Sequence, residues 1–418
     1  MSRVVKLEEL CLPDQIGKYG IPAVAEEFSE DKVRYLRITD IDDYGNLLEN
    51  DKKSVSSPEI EKYILKEGDI VFARTGNSTG RTYYHEEKNG ELAFAGFLIK
   101  FSLDESKVNP KYLKYFTISK PYKQWVDNLS NGSTRGNINA KTFADCPIIL
   151  PSRAQQDYLV RVLSSLEEKI QINNQINQEL EAMAKTLYDY WFVQFDFPDQ
   201  NGKPYKSSGG KMVYNQELKR EIPEGWGVEK LGDVAKFKNG INYEKTSSGS
   251  EKVKIINVRN ISSSTIFVNQ TDLDEISLEN DKSTKFIVNE GMILITRSGI
   301  PGATRLVSEL EAKTVYSGFI IASEVNDLIF KNLIFYYLKN VEEVLKNQSA
   351  GTIMKNISQS VLTDMVISLP PQNVLLKFNS IIDNLLEQMK NVQRQNQELT
   401  QLRDWLLPML MNGQVKVE

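Results

Sequence analysis

The sequence predicts an α+β chain. Two β-rich α/β domains are separated by two long antiparallel helices that form a coiled coil, and the whole is an internal repeat with pseudo-twofold symmetry. Three observations carry this expectation. The chain matches itself: GSTRGNINAKTFADCPIILP at 132–151 aligns without gaps with GTIMKNISQSVLTDMVISLP at 351–370, at an offset of 219. Short runs of β-formers punctuated by turns fill the first 150 or so residues of each half. A long apolar series at steps of three and four follows each of those regions.

The repeat sets the boundaries. EGDIVFARTG (67–76) aligns with EGMILITRSG (290–299), AGFLI (95–99) with SGFII (317–321), YLRITDID (35–42) with IINVRNIS (255–262), and KLEEL (6–10) with KLGDV (230–234). The first domain is placed at 1–151. In it, Glu67-Gly68 reads as a turn and Asp69 to Ala73 as a strand. Residues 109–127 read as a helical patch broken near Pro121, where the ring removes a backbone donor. A long helix with Ser152 as N-cap candidate is expected from Arg153 to Asp189, inside a segment bounded at 152–194. Its seam reads Leu159, Leu163, Leu166, Ile170, then Ile176, Leu180, Met183 and Leu187. Residues 195–222, opening FDFPDQNGKPYKSSGGK, are rich in Gly, Pro, Ser and Asn and read as a linker. The second domain is placed at 223–371 and the second helix with a tail at 372–418. That helix runs from about Val374 to Leu407, with seam positions Phe378, Ile382, Leu385, Met389, Val392, Asn396, Leu399, Leu402 and Leu406. An asparagine interrupts each series, Asn173 and Asn396, a device that costs stability but fixes register. Two matching seams in one chain pair most simply with each other. A parallel pair would need a long return connection, so antiparallel pairing is expected, with the β-rich domains at opposite ends.

Composition narrows the chemistry. A chain of 418 residues with 40% hydrophobic and 26% charged residues fits a globular protein of two or three domains. Two cysteines in unrelated contexts, Cys11 and Cys146, exclude a disulfide framework and an all-cysteine metal site. One histidine, His85, leaves zinc ligation and His-assisted nucleophiles without partners; in YYHEEKNG it reads as a loop-exposed residue. No apolar run is long enough to span a membrane, and MSRVVKLEELCLPDQ has no signal-like core. A cytoplasmic protein is expected. Net charge is −5, which argues against binding nucleic acid with the whole surface. Residues 95–142 nevertheless hold eight Lys/Arg against three acids.

Several motifs come close to catalytic patterns and fail. Gly76-Asn77-Ser78-Thr79-Gly80-Arg81-Thr82 resembles a phosphate-binding loop. Its glycines stand one residue too close, Arg81 replaces the lysine, and strand-like residues follow where a helix is required. Asn109-Pro110-Lys111-Tyr112 resembles the target-amine motif of amino-methyltransferases, but Lys111 replaces a proline and the second half has no counterpart. No glycine-rich strand-turn-helix for S-adenosylmethionine is present. Glu59-Ile60-Glu61-Lys62 has nuclease-like residue types at the wrong spacing.

What remains is recognition chemistry. Arginine can address guanine, and asparagine adenine, with two hydrogen bonds each. Ser, Thr and backbone amides fix register on phosphates. These residue types recur in turns of both halves. The candidates for DNA contact are Lys18, Tyr19, Arg74, Thr75, Asn77, Ser78, Arg81, Ser133, Thr134, Arg135 and Asn137 in the first half. In the second they are Asn239, Asn242, Tyr243, Arg297, Ser298, Thr352, Lys355 and Asn356. Ordinary turn chemistry also favours Gly, Asn and Ser; the recurrence of the same loops in both halves is what singles them out. No catalytic or metal-ligating set emerges.

With EGDIVFARTGNSTG, the GSTRGNINAKTFADCPIILPSRAQQ run, its sequel LVRVLSSLEEKIQINNQINQELEAMAKTLYDYWFVQFDFP and the doubled layout in view, the chain resembles the specificity subunits of type I restriction–modification systems. The resemblance covers essentially the whole sequence. It implies two target-recognition domains held apart by two antiparallel helices. It also implies a bipartite, asymmetric double-stranded DNA target with one half-site per domain, and no catalysis by this chain. The implied partners are two modification (methyltransferase) subunits, with restriction/translocase subunits in the full complex. S-adenosylmethionine, ATP and magnesium would belong to those partners, leaving this chain without a cofactor. A helix of roughly 37 residues at about 1.5 Å each gives about 55 Å, on the order of 16 base pairs, which implies an unread gap between half-sites. Met354 stands where the first half has Arg135, which fits two different half-sites. The alternatives are a coiled-coil scaffold that binds no DNA, and a stand-alone DNA methyltransferase or nuclease.

Overall fold

In the computed structural model, residues 3–49, 51–130, 137–243, 249–279, 283–350 and 356–411 are described. They form two units: Met1–Ile172 with Gln395–Glu418, and Asn173–Arg394.

The first unit is built on a four-stranded antiparallel sheet in the order Lys18–Tyr19, Leu98–Ser102, Asp69–Ala73, Thr82–Tyr84. The strand expected at Asp69–Ala73 is present and all five of its residues are buried, because both faces of the sheet are covered. A second sheet carries a parallel pair, Arg34–Leu36 with Leu92–Phe94. Arg3–Lys6 pairs antiparallel with Pro147–Leu150, and Pro151 then ends the strand and leads into the first long helix.

The second unit repeats this plan. Its four-stranded sheet runs Ala235–Asn239, Ile320–Val325, Ile293–Thr296, Thr304–Leu306. A parallel pair, Glu251–Ile256 with Thr314–Tyr316, and the ladder Gly227–Lys230 with Val366–Leu369 complete the correspondence. The repeat extends to single contacts. Gly20 N donates to Leu98 O and Gly240 N to Ile320 O, at 3.1 and 3.0 Å. A Cβ at either glycine would lie 2.2–2.3 Å from two backbone carbonyl oxygens. Only glycine lets the strand pass so close to the neighbouring turn.

The long helices are Arg153–Tyr188, followed by a π turn at Asp189–Val193, and Gln372–Met411. Ser152 caps the first: its Oγ accepts from Gln155 N while Gln155 Oε1 accepts from Ser152 N, a reciprocal capping box. In the first unit, Leu159 and Leu163 from the beginning of one helix share a core with Leu407 and Met411 from the end of the other. In the second unit, Leu180, Ala184, Tyr188 and Trp191 share a core with Val374, Phe378, Ile382 and Met389. Each unit therefore combines the start of one helix with the end of the other.

Four expectations change. The seam of the first helix does not run through Ile176 and Met183, which are 42% and 56% exposed. The buried series in the second unit is 180, 184, 188, 191, because Ala184 makes room for Tyr188 and Trp191 against Tyr336 and Phe378. Leu402 of the second helix is likewise exposed, and Arg403 takes the inward position. The segment 195–222 is folded, where composition suggested a linker. Phe195 and Phe197 pack edge-on and tilted against Trp226, Tyr205 stacks on Phe197 at 4.7 Å, and Met212–Asn215 pairs with Arg220–Pro223. Gly, Pro, Ser and Asn there make tight turns around an aromatic cluster. Three lysines of the basic stretch 95–142 are taken up by the fold: Lys100, Lys111 and Lys114 pair with Asp69, Glu86 and Glu167, while Lys120, Lys123 and Lys141 are exposed. These acids are distant in sequence.

The fourth change is His85, which is 2% exposed. Its amide donates to Asp69 O at 2.8 Å, and its ring lies beside Tyr83. Burial pushes its pKa below the usual 6.5, since desolvation disfavours the charged form. As pH falls through about 6.5 the unfolded chain takes up a proton and the folded chain does not, so stability is lost on the acid side. The melting temperature should therefore fall more between pH 7.5 and 5.5 in the wild type than in His85→Gln. Equal falls would remove His85 as the source.

Candidate nucleic-acid interface

The loop Arg74–Arg81 joins two antiparallel strands, Asp69–Ala73 and Thr82–Tyr84. Ala73 N donates to Arg81 O and Gly80 N to Ala73 O, both at 2.8 Å. The loop holds only a three-residue 3-10 turn, Gly76–Ser78, and leads into a strand and not into an α-helix whose N-terminus could hold a phosphate, which settles the phosphate-loop question on geometry. Gly76 and Gly80 adopt positive φ (74° and 85°). The second unit closes the same way. Thr296 N donates to Ala303 O and Gly302 N to Thr296 O, with Gly299 and Gly302 at φ 81° and 91°.

Arg74 is held by its own backbone. Its amide donates to Phe97 O (3.0 Å), and its carbonyl accepts from Ile138 N (2.9 Å). Thr75 and Asn137 form a β-bridge. The guanidinium lies over the Tyr19 ring at 4.9 Å, and Nε donates to Asn137 Oδ1 at 3.3 Å. Tyr19 is itself fixed, since its hydroxyl accepts from Ala140 N. Among the described residues, the two terminal nitrogens of Arg74 carry no hydrogen bond, so the forked end stays available to a ligand. Lys18, Asn77 and Asn137 are exposed beside it. The sheet and the bridge thus bring Tyr19, Arg74, Thr75 and Asn137 together.

Arg297 occupies the same frame. Its amide donates to Phe319 O (2.9 Å), and its carbonyl accepts from Ile357 N (2.8 Å). Asn239 stands in the place of Tyr19 and gives the guanidinium no aromatic support; Arg297 Nη1 instead reaches Gly318 O at 3.5 Å. Ser298 is half-buried, and Asn242 and Asn356 are exposed in the same neighbourhood. Asn242 Oδ1 sits where a Cβ on Gly318 would be.

Three candidates are taken up by the fold. Ser78 is 7% exposed. Arg81 pairs with Asp43 at 2.6 Å and donates to Ile41 O. Tyr243 donates to Asn257 Oδ1 and packs with the core around Ile255. Each braces its loop. Ser133, Thr134, Arg135, Thr352 and Lys355 lie outside the described residues. Asn109, read against an amine-binding motif, is a helix N-cap: its Oδ1 accepts from Lys111 N and its Nδ2 donates to Asp157. Both cysteines are buried and free, with thiols pushed up to about 12 by burial. No group of three or more potential metal ligands occurs among the described residues, and no described helix is long and apolar enough to cross a membrane.

Two residues escaped sequence reading. Phe97 and Phe319 are 60% and 61% exposed, one beside each arginine. The aligned AGF and SGF triplets carried the signal, but a phenylalanine next to strand residues reads as core.

These frames define a duplicated, two-headed recognition protein. Residues 4–182 and 223–401 each match the family described as Type I restriction modification DNA specificity domain; the chain belongs to that family and carries two copies of the domain. It is thereby a DNA sequence-specificity chain of a restriction–modification system, a recognition subunit and not a catalytic one, whose partners are DNA and the other subunits of such a system. Among its relatives is the type I restriction enzyme MjaIX specificity subunit of Methanocaldococcus jannaschii. It is 28% identical over 312 residues, which span 74% of this chain and 69% of the relative. The HindI specificity subunit of Haemophilus influenzae is 22% identical over 419 residues, spanning 86% and 89% of the two chains. In fold, the chain is similar to the S subunit of the type I system of M. genitalium, with a TM-score of 0.54, 15% identity, and coverage of 98% and 96%.

Proposed function

We propose that the two units read the two halves of a bipartite double-stranded DNA target, one half-site each. In the first unit, Arg74 on its Tyr19 platform supplies the base-reading fork, with Lys18, Thr75, Asn77 and Asn137 on flanking phosphates and bases. In the second, Arg297 with Asn242, Asn356, Ser298 and Asn239 does the same for a different sequence. Ser133, Thr134, Arg135, Thr352 and Lys355 directly precede Asn137 and Asn356 in sequence and belong to the same proposed contact set. The observation that carries the reading is the double frame. One backbone arrangement presents an arginine in both units while the side chains around it differ, which suits two half-sites of different sequence. We further propose that two modification subunits dock on this chain and supply the chemistry, with restriction/translocase subunits joining in the full complex.

Methylome sequencing of a host expressing this chain with its modification subunit tests the reading. The expected result is a methylated motif of two specified halves around an unspecified gap. A single uninterrupted motif would refute the two-headed reading. Binding by the assembled complex should also weaken steeply with salt on target and non-target DNA alike, as counterion release requires, while discrimination between the two persists.

A further inference from the structure

We propose that Phe97 and Phe319 contact base surfaces directly and so determine specificity, each in the half-site read by its own unit; this rests on the two-headed reading above. The two residues sit at the tips of equivalent β-turns. Leu98 N donates to Ala95 O at 2.8 Å, and Ile320 N to Ser317 O at 2.9 Å. Each phenylalanine is the third residue of its turn, a place usually filled by small or polar residues. Each is exposed, at 60% and 61%, although its neighbours Leu98 and Ile320 are fully buried.

The turns are not loose. Gly20 and Gly240 pass against the carbonyls of Phe94 and Ala95, and of Tyr316 and Ser317, so closely that no side chain fits. The phenylalanine carbonyls accept the amides of Arg74 and Arg297. A phenylalanine and an arginine are therefore joined by one backbone hydrogen bond in each unit, so the same frame carries an apolar side chain and a guanidinium twice. Around that frame the two units differ. Tyr19 is replaced by Asn239, Ala95 by Ser317, and Asn77-Ser78-Thr79 by Ile300-Pro301. The ring stays, and it covers no core of its own. Leaving so large an apolar side chain in water is unfavourable, and both units keep it on the residue whose carbonyl accepts the arginine's amide.

The chemistry that fits this pair is a DNA base edge. The guanidinium takes acceptors, and the ring takes an apolar surface. Two such surfaces exist in a duplex: the 5-methyl group of thymine in the major groove, and the ring face exposed at a partly opened base step. Either gives the phenylalanine a sequence preference that hydrogen bonds alone would not supply.

The test uses the complex of this chain with its modification subunit and duplexes carrying the methylome-derived target. Three DNA competitors are needed: one with the first half-site scrambled, one with the second scrambled, and one with both. Phe97→Ala is expected to weaken binding to the intact target roughly tenfold. It should leave binding to the duplex with its own half-site scrambled unchanged. Phe319→Ala should do the same for the other half-site, and Phe→Leu variants should recover much of the loss. Replacing thymines by uracil in one half-site reproduces the loss if the methyl is the contact. If the contact is an opened step, 2-aminopurine placed there brightens with the wild type and not with the alanine variant.

Wild-type affinities on target, or losses spread equally over target and fully scrambled DNA, would overturn the proposal, as would failure of the variants to assemble with the modification subunit. The underlying reading fails separately: it falls if the wild-type complex itself does not distinguish the intact from the scrambled duplexes.

Discussion

Arg74→Ala is expected to relax recognition of one half of the DNA target and leave the other half intact; Arg297→Ala is expected to do the converse. Arg74 uses Nε on Asn137 and its face on Tyr19, which sets the plane of the group and leaves the forked end for a ligand. A fork of that kind matches two acceptors on one base, and losing it costs about 1–3 kcal/mol, or roughly 5- to 150-fold in affinity. The backbone bonds that hold the loop involve the amide and carbonyl of Arg74 and survive in alanine, so melting should not change. Arg74→Lys separates charge from geometry: it keeps the phosphate attraction but loses the planar fork, and should resemble alanine in specificity. The measurement is affinity of the assembled complex for duplexes scrambled in one half-site at a time. If either variant weakened both half-sites equally, the arginines would be general phosphate contacts, and the assignment of one reader per unit would be wrong.

The arginine frame could be read from sequence because it is doubled. EGDIVFARTG and EGMILITRSG share the approach strand, the arginine and the following glycine, and the structure gives both the same hydrogen bonds. Asn137 and Asn356 were found by the same alignment. Features without a counterpart were harder. His85 lies among charged neighbours, yet the strand Thr82–Tyr84 leading to it is buried throughout. Local polarity reports little when both faces of a short strand are covered. The aromatic cluster of Phe195, Phe197, Tyr205 and Trp226 was hidden by the turn residues between its members. Lys100, Lys111 and Lys114 looked free because their acidic partners come from elsewhere in the chain. Periodicity placed the long helices to within a few residues but misplaced the seam at Ile176, Met183 and Leu402. Which of two adjacent apolar positions turns inward depends on the bulk of the partner, and the packing of Tyr188 on Tyr336 and of Trp191 on Phe378 is a tertiary fact.

The largest stability effect is expected beneath the first arginine, and the second unit supplies the remedy. Asp69 and Lys100 are 2% and 6% exposed and pair at 3.2 Å. Asp69 also accepts from the Ser102 hydroxyl and from Lys66 N, while the Lys100 ammonium lies near the Phe94 ring. Removing one member strands the other charge in the interior, so Lys100→Ala should cost about 3–5 kcal/mol. At the matching positions of the second unit stand Met292 and Ala322, and the ladder confirms the correspondence. Val71 faces Lys100 in one sheet, and Leu294 faces Ala322 in the other. The same two positions are therefore filled once by an ion pair and once by apolar side chains, Met292 half-buried and Ala322 buried, while the exposed Glu324 stands where the first unit has Ser102. Since replacing a whole buried pair by apolar groups is often close to neutral, Asp69→Met with Lys100→Ala and Ser102→Ala should recover most of the loss caused by Lys100→Ala alone. Lys66 is exposed, so its amide can turn to water. Urea unfolding gives the magnitudes, and hydrogen exchange at the amides of Asp69–Ala73 and Leu98–Ser102 assigns them to the first unit. If the triple variant were no more stable than Lys100→Ala, the ion pair would be specifying the packing of that sheet, and the two units would not share interchangeable cores.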